Sequence, residues 1–238
     1  EVHALMPYEN TIYLADSKNA PYGLKSKDEI IALSCKNTEF LLENNCKIIV
    51  VACNTATTNA IKELRAKYDV PFIGIEPAIK PAALQSKTQK IGILATKGTL
   101  NSELFHKSVA NHPDVTIIEQ IGHGLVQLIE NGDMNSAEME ELLKSYLNPM
   151  VEKNIDYLVL GCSHYPYLIP QIKKIIPPQI KIIDSGEAVA KQTQKILEQS
   201  HLLNLTKEKS SQIFYTNSEP EVLKNILGNC ENVIYKNF

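Results

Sequence analysis

Lys47-Ile-Ile-Val-Val-Ala-Cys53-Asn54-Thr55 and Asp156-Tyr-Leu-Val-Leu-Gly-Cys162-Ser163-His164 follow one pattern. Each is an apolar run, then a small residue, then a cysteine, then short polar side chains that open a helix. Neither run alternates with polar residues, which is the mark of strands in a parallel sheet covered on both faces. The two copies form a weak internal repeat and predict two related α/β lobes. Ligands of open α/β sheets bind beyond the carboxyl ends of strands. Both cysteines are therefore expected where chemistry takes place.

Outward from these two runs, further strands are expected at Thr11–Ala15, Pro71–Ile75, Lys90–Ala95, Val115–Gln120, Lys181–Ile183, Gln212–Tyr215 and Asn232–Tyr235, with the two cysteine strands at Lys47–Ala52 and Tyr157–Leu160. Helices lie between them. Ser26-x-x-Glu29 and Ser218-x-x-Glu221 have capping-box spacing, the second with Pro220 in its first turn. This alternation predicts α/β architecture with right-handed crossovers: two Rossmann-like lobes with mainly parallel sheets and the site between them. The proline-rich stretch Glu76–Lys80 is a plausible crossing into the second lobe and Ser185–Glu187 a plausible return. Residues 1–77 with 187–238 then make one lobe and 78–186 the other. The polar stretch Gln199–Gln212 reads as a loop.

A length of 238 residues, 44% of them hydrophobic, suffices for one large domain or two small ones. The net charge of −3 and the absence of a Lys/Arg-rich block give no electrostatic case for nucleic acid. The apolar stretches are too short to cross a bilayer, and the first residues lack the basic start and apolar core of a signal peptide. Five widely spaced cysteines without a C-x-x-C pair suit reduced thiols and a cytoplasmic setting.

A cysteine at a strand end, facing the first turn of a helix, meets unpaired N–H groups and the positive end of the dipole. Both favour thiolate over thiol, from a free pKa of about 8.5. Removing the α-proton of an amino acid needs a placed base, and inverting the centre needs an acid on the opposite face. Two thiols, one from each lobe, supply both without a cofactor. His164 could hydrogen-bond Cys162 or donate to substrate. Asn54, Thr55 and Ser163, with adjacent backbone N–H groups, could hold carboxylates. Against this stands the plainer reading of cysteine as a small buried hydrophobe. It is the reading given to Cys35, Cys46 and Cys230; for Cys53 and Cys162 the residues alone leave the two readings level. Zinc on Cys53, Cys162 and His164 would lack a fourth ligand at standard spacing, so no metal is expected. Nor does any lysine sit in a loop suited to pyridoxal phosphate, and the expected cofactor is none.

Val50-Val-Ala-Cys53-Asn54-Thr55-Ala-Thr57, Leu160-Gly-Cys162-Ser163-His164-Tyr-Pro166 and Asp16…Pro21-Tyr22-Gly23 together resemble the bacterial glutamate racemase family. Ala95-Thr-Lys-Gly-Thr99, Leu128-Ile-Glu130-Asn-Gly132 and Ile183-Asp-Ser-Gly186 extend the likeness, in order, across most of the chain. The resemblance implies interconversion of L- and D-glutamate for peptidoglycan synthesis at a site between two lobes. It implies that Cys53 works on the α-proton of the D-enantiomer, and Cys162, assisted by His164, on that of the L-enantiomer. Tyr22, Gly23, Asn54, Thr55, Ser163 and His164 match the family's substrate-binding positions, with Thr99 added. Asp16 and Glu130 match acidic positions lining the site, where solvated surface carboxylates are the alternative. The related aspartate racemases usually carry Glu in place of His164, which favours glutamate.

Two departures carry expectations. Ser163 stands where Thr is common; the hydroxyl survives and little change is expected. The family also opens with a strand leading into Asp-Ser-Gly-x-Gly-Gly, which this sequence does not show before Glu1; Asp184–Gly186 lies in the wrong place to replace it. A polypeptide without that strand is expected to leave Thr11–Ala15 or Lys47–Ala52 with an unpaired edge, and to be unstable or nearly inactive. The rival readings are a racemase of aspartate or of a hydantoin, and a two-lobed amino-acid binding protein with no chemistry. The expected partner is a small-molecule substrate, with no nucleic acid and no membrane; the sequence leaves the oligomeric state, a homodimer included, open.

Overall fold

The unbroken apolar runs form the strands expected of them. A computed structural model describes residues 1–206, 208–228 and 232–238. In chain order these contain α1 (Val2–Leu5), β1 (Thr11–Ala15), α2 (Lys27–Glu43), β2 (Ile49–Val51), α3 (Asn54–Lys67), β3 (Phe72–Gly74) and α4 (Ile79–Gln85). There follow β4 (Lys90–Ala95), α5 (Lys97–Leu100), α6 (Glu103–Ala110), β5 (Thr116–Ile121), α7 (Leu125–Glu130), α8 (Ala137–Glu152), β6 (Tyr157–Gly161), α9 (Ile169–Ile175) and β7 (Lys181–Ile183). Last come α10 (Gly186–Gln199), β8 (Gln212–Thr216), α11 (Pro220–Ile226) and β9 (Val233–Tyr235). All nine expected strands are present, their ends moved by at most two residues. Residues 200–211 connect α10 to β8 without a strand or helix of their own among the described residues. Cys230 lies outside the described residues.

Every strand pairing is parallel. One sheet has the order β5-β4-β6-β7. Its central strand β6 is buried at every position, because apolar side chains leave both faces. Leu94, Leu158 and Leu160 pack on one side with Leu125, Ile129, Leu143 and Leu147 of α7 and α8. Ile91, Ile93 and Val159 pack on the other with Ile79, Ala82 and Phe105. Each fully buried side chain of this size contributes about 1.5–3 kcal/mol of transfer free energy. That is why a strand with no polar face is stable here and nowhere else.

The remaining strands form two separate sheets, β1-β8-β9 and β2-β3. Ile30 of α2 and Ala60, Ile61 and Leu64 of α3 cover Ile49 and Phe72. Gly74 lets α3 approach β3 closely: a Cβ there would lie 2.5 Å from both Ile61 Cδ1 and Thr57 Cγ2. Among the described residues β1 pairs only with β8 and β2 only with β3. The two strands flank a common cavity of about 860 Å³.

The Ser26/Glu29 capping box forms in full: Glu29 N–H donates to Ser26 Oγ at 3.3 Å and Ser26 N–H to Glu29 Oε2 at 2.9 Å. The second capping box does not form. Pro220, with its fixed φ, takes the first position of α11, so the extended Glu219 becomes the N-cap and Ser218 stands one residue too early. Ser218 N–H is taken instead by Thr216 Oγ1 at 3.2 Å. No helix among the described residues is long and apolar enough to cross a membrane.

Candidate active site

The carboxyl ends of β1, β2 and β6 open on the same cavity, which is lined by Asp16, Cys53, Thr55, Glu130, Cys162 and His164 among others. Tyr22, Gly23, Asn54 and Ser163 also reach its wall. Cys53 and Cys162 thus come from different sheets to one space, as their matching strand ends predict.

Cys53 is the N-cap of α3, and its Sγ accepts the Ala56 N–H at 3.4 Å. The expected helix-end stabilisation of a thiolate is there but loses. Burial pushes the Cys53 thiol up to about 11; the Ala56 N–H pulls the other way, and the nearby Cys162 adds to the rise. The expectation of a thiolate-favouring Cys53 is therefore corrected: Cys53 is held as a thiol, because desolvation of a charge outweighs the hydrogen bonds that Ala56 and Thr55 offer the sulfur.

Cys162 follows β6 and is 7% exposed. Its Sγ lies 3.9 Å from His164 Nδ1, and His164 Nε2 lies 2.6 Å from Glu130 Oε1. Burial disfavours the imidazolium, yet contact with Cys162 and Glu130 outweighs it and raises His164 to about 10. Glu130 pays for its own burial through the same bond: burial raises its carboxyl, the His164 contact more than reverses this, and the net shift is downward. The order carboxylate, imidazole, thiol is that of an orienting group, a proton carrier and a sulfur base. Glu130 is thus placed as the partner of His164, and its surface reading does not apply.

Asn54 is 2% exposed, and its Nδ2 has no hydrogen-bond partner among the described residues. An orphaned buried donor beside Cys53 costs about 1–3 kcal/mol unless an acceptor arrives. Thr55 at the start of α3 meets the second sheet's loop: its Oγ1 lies 2.7 Å from Thr96 Oγ1 and 3.3 Å from Thr99 Oγ1, and those two are 3.0 Å apart. Thr99 is fully buried and touches the cavity wall through this hydroxyl cluster, while Thr96 lines the wall itself. Thr96 is a further site residue with a signal of its own in the sequence: Thr96-x-x-Thr99 is a helix-capping spacing, and the Thr96 side chain does accept the Thr99 N–H. Asp16 is brought to the site, but as an acceptor for Tyr22, Asn19, Asn37 and Asn217. The last two carry no sequence signal pointing to Asp16. Among the described residues no group of three or more His, Cys, Asp or Glu side chains is placed to hold a metal ion, Cys53, Cys162 and His164 included.

Residues 1–193 match the Asp/Glu/Hydantoin racemase family. The glutamate racemase of Herpetosiphon aurantiacus is 42% identical over 221 residues, 92% of this chain and 87% of the relative. That of Ralstonia pickettii is 46% identical over 197 residues, 82% of this chain and 70% of the relative. Among solved structures, glutamate racemase isoform RacE1 of Bacillus anthracis superposes with a TM-score of 0.87 at 28% identity, covering 99% of this chain and 91% of that one. Escherichia coli glutamate racemase, solved with L-glutamate and the activator UDP-MurNAc-Ala, superposes at 0.86 with 30% identity over 98% and 90%. The motifs, the two-lobed α/β fold and these relatives agree, and the chain belongs to the Asp/Glu/Hydantoin racemase family, in its glutamate racemase branch.

Proposed function

We propose that this protein interconverts L- and D-glutamate with Cys53 and Cys162 as the two proton-transfer groups and no cofactor. One observation carries the reading: two cysteines at the ends of strands from different sheets face one cavity, each with its own electrostatic partner. In the L-to-D direction Cys162, acting as thiolate with the His164 imidazolium beside it, takes the α-proton. The carbanion then receives a proton from the Cys53 thiol on the opposite face. Cys162 is left a thiol and Cys53 a thiolate, the form that accepts D-glutamate. Protons and charge balance over the cycle. A Cys53 held as thiol makes the protein ready for L-glutamate. Asn54 Nδ2, the Thr55 and Ser163 hydroxyls and the Tyr22–Gly23 turn are the groups offered to the substrate's carboxylates. The Herpetosiphon and Ralstonia relatives are glutamate racemases, and the Francisella tularensis glutamate racemase has been solved with D-glutamate.

The division into lobes at 77/78 and 186/187 belongs to this proposal. The Ser185 hydroxyl donates to the Glu76 carbonyl, joining the two chain crossings, as a hinge between lobes requires. A cytoplasmic location and a supply of D-glutamate to peptidoglycan, and through it to cell wall and cell shape, are the roles such an activity would serve. The test is incubation of purified protein with D- or L-glutamate in D2O without added cofactor, with aspartate in parallel. Racemisation with deuterium at the α-carbon of glutamate is expected. No α-exchange would leave a binding protein, and faster exchange on aspartate an aspartate racemase.

A further inference from the structure

Asp16, at the end of β1, has its carboxylate fully engaged within the protein. Oδ1 accepts Asn217 Nδ2 at 2.5 Å and Asn19 Nδ2 at 2.7 Å; Oδ2 accepts the Tyr22 hydroxyl at 2.5 Å and Asn37 Nδ2 at 3.5 Å. A carboxylate offers about four lone-pair sites, so these four donors leave none for a substrate ammonium group. The orientation of the Asn217 amide is fixed independently: the Lys18 N–H donates to its Oδ1 at 2.9 Å, which turns Nδ2 toward Asp16. Asn217 follows β8, 201 residues from Asp16 in sequence, and is 5% exposed. Asn37 of α2 also donates to the Tyr22 hydroxyl at 3.3 Å, so that hydroxyl gives one bond and receives one. Burial first, and then the Asp16 bond, raise the Tyr22 hydroxyl far above its ordinary value and keep it a donor.

The other end of Tyr22 matters to the site. Residues 22–24 form a single tight turn whose Gly23 lies against the opposite lobe. A Cβ on Gly23 would be 2.8 Å from Thr96 Cβ, and one on Gly98 would be 3.2 Å from Gly23 Cα. A turn packed this closely tolerates little displacement, and the side-chain anchor of Tyr22 fixes where it lies.

We propose that Asp16 is the hub of a positioning network, and that Asn217 and Asn37 act through it to fix the Tyr22–Gly23 turn at the mouth of the site. This rests on the reading of that site as the glutamate site. Asp16, Asn217 and Asn37 are then positioning residues, with no contact to substrate.

The experiment is a double-mutant cycle of Asn217→Ala with Tyr22→Phe, read on D-glutamate binding by calorimetry and on KM and kcat separately. Racemisation by the parent protein tests the activity itself, so the two readings can fail apart. Each single variant should bind D-glutamate about tenfold more weakly, the size of one lost hydrogen bond to a charged group. KM should rise more than kcat falls, and the double variant should be no worse than the weaker single. Asp16→Asn, which keeps shape and part of the bonding, should lose less than Asp16→Ala. Should Asn217→Ala fail to fold, Asn37→Ala takes its place in the cycle. Additive losses, unchanged binding in the single variants, or Asp16→Asn as damaging as Asp16→Ala would overturn the proposal. A parent that racemises glutamate while the cycle is additive would leave the activity standing and remove the network.

Discussion

A thiol that gives a proton and a thiolate that takes one need different surroundings, and Cys53 and Cys162 have them. Burial raises Cys53 to about 11, whereas Cys162 faces an imidazole held protonated to about 10. Cys53→Ser should therefore abolish proton abstraction from the D-enantiomer, and Cys162→Ser that from the L-enantiomer. Each loss should be on the order of 10²–10⁴-fold, the usual contribution of a placed acid or base. Full racemisation cannot show the asymmetry, because the two directions share both steps. Elimination of a leaving group from the β-carbon of analogues of each hand reports single abstractions. Equal loss of both hands in either variant, with folding intact, would refute the assignment. With the parent, elimination from the D-analogue should climb about tenfold per pH unit below 11, as the Cys53 thiolate fraction grows. Glu130→Gln should lower the His164 value and impair the L-side by at least tenfold, with the D-side nearly unchanged. The same pair sets a stability window. His164 is raised above its ordinary 6.5, so its pairing stabilises fully below 6.5, and that contribution is lost as pH rises through about 10. Glu130 is lowered below 4.5, so its contribution is present above 4.5 and lost on acidification. The melting difference between parent and Glu130→Gln should accordingly be largest between about pH 4.5 and 6.5, shrink as pH rises further, and vanish above pH 10. The sequence places both thiols at strand ends, but the direction of the Cys53 shift depends on how much protein covers the sulfur, which no local motif records.

At the scale of single elements, α5 shows how the lobes meet. A Cβ on Gly98 would lie 2.7 Å from Thr55 Cγ2 and 3.2 Å from the Gly23 backbone. Helix propensity alone favours alanine over glycine by at most about 1 kcal/mol, whereas overpacking costs about 1–3 kcal/mol. Sterics should win: Gly98→Ala should push Thr55 and the Tyr22–Gly23 turn away from the second sheet. The expected result is at least a tenfold rise in KM for glutamate, with a melting temperature lowered by roughly a few degrees, the net of the overpacking cost and the gain in propensity. Unchanged KM would mean that the lobes yield freely at this contact. Element signals were legible in the sequence where they are local, as with the unbroken runs of β4 and β6 and the Ser26/Glu29 box. They misled at Ser218, where two local signals competed and the proline decided. The Asp16 network was not legible, because its members join at sequence separations of 21 and 201 residues.

For the whole molecule, the decisive feature is the slot between the β1-β8-β9 and β2-β3 sheets. Consecutive residues on both flanks, Thr11 to Asp16 and Lys47 to Cys53, line one cavity of about 860 Å³. A wall made of consecutive rather than alternate residues exposes strand edges, whose N–H and C=O groups seek partners. The apolar Ile12, Leu14 and Val50 stand beside those edges. β4 and β6, by contrast, are paired on both sides. Backbone amides of β1 and β2 should therefore exchange with D2O at least about tenfold faster than those of β4 and β6, because a strand with an open edge opens locally at lower free energy. Equal protection of the two pairs of strands would show that the β1 and β2 edges are covered and that the cavity is no weak point of the fold.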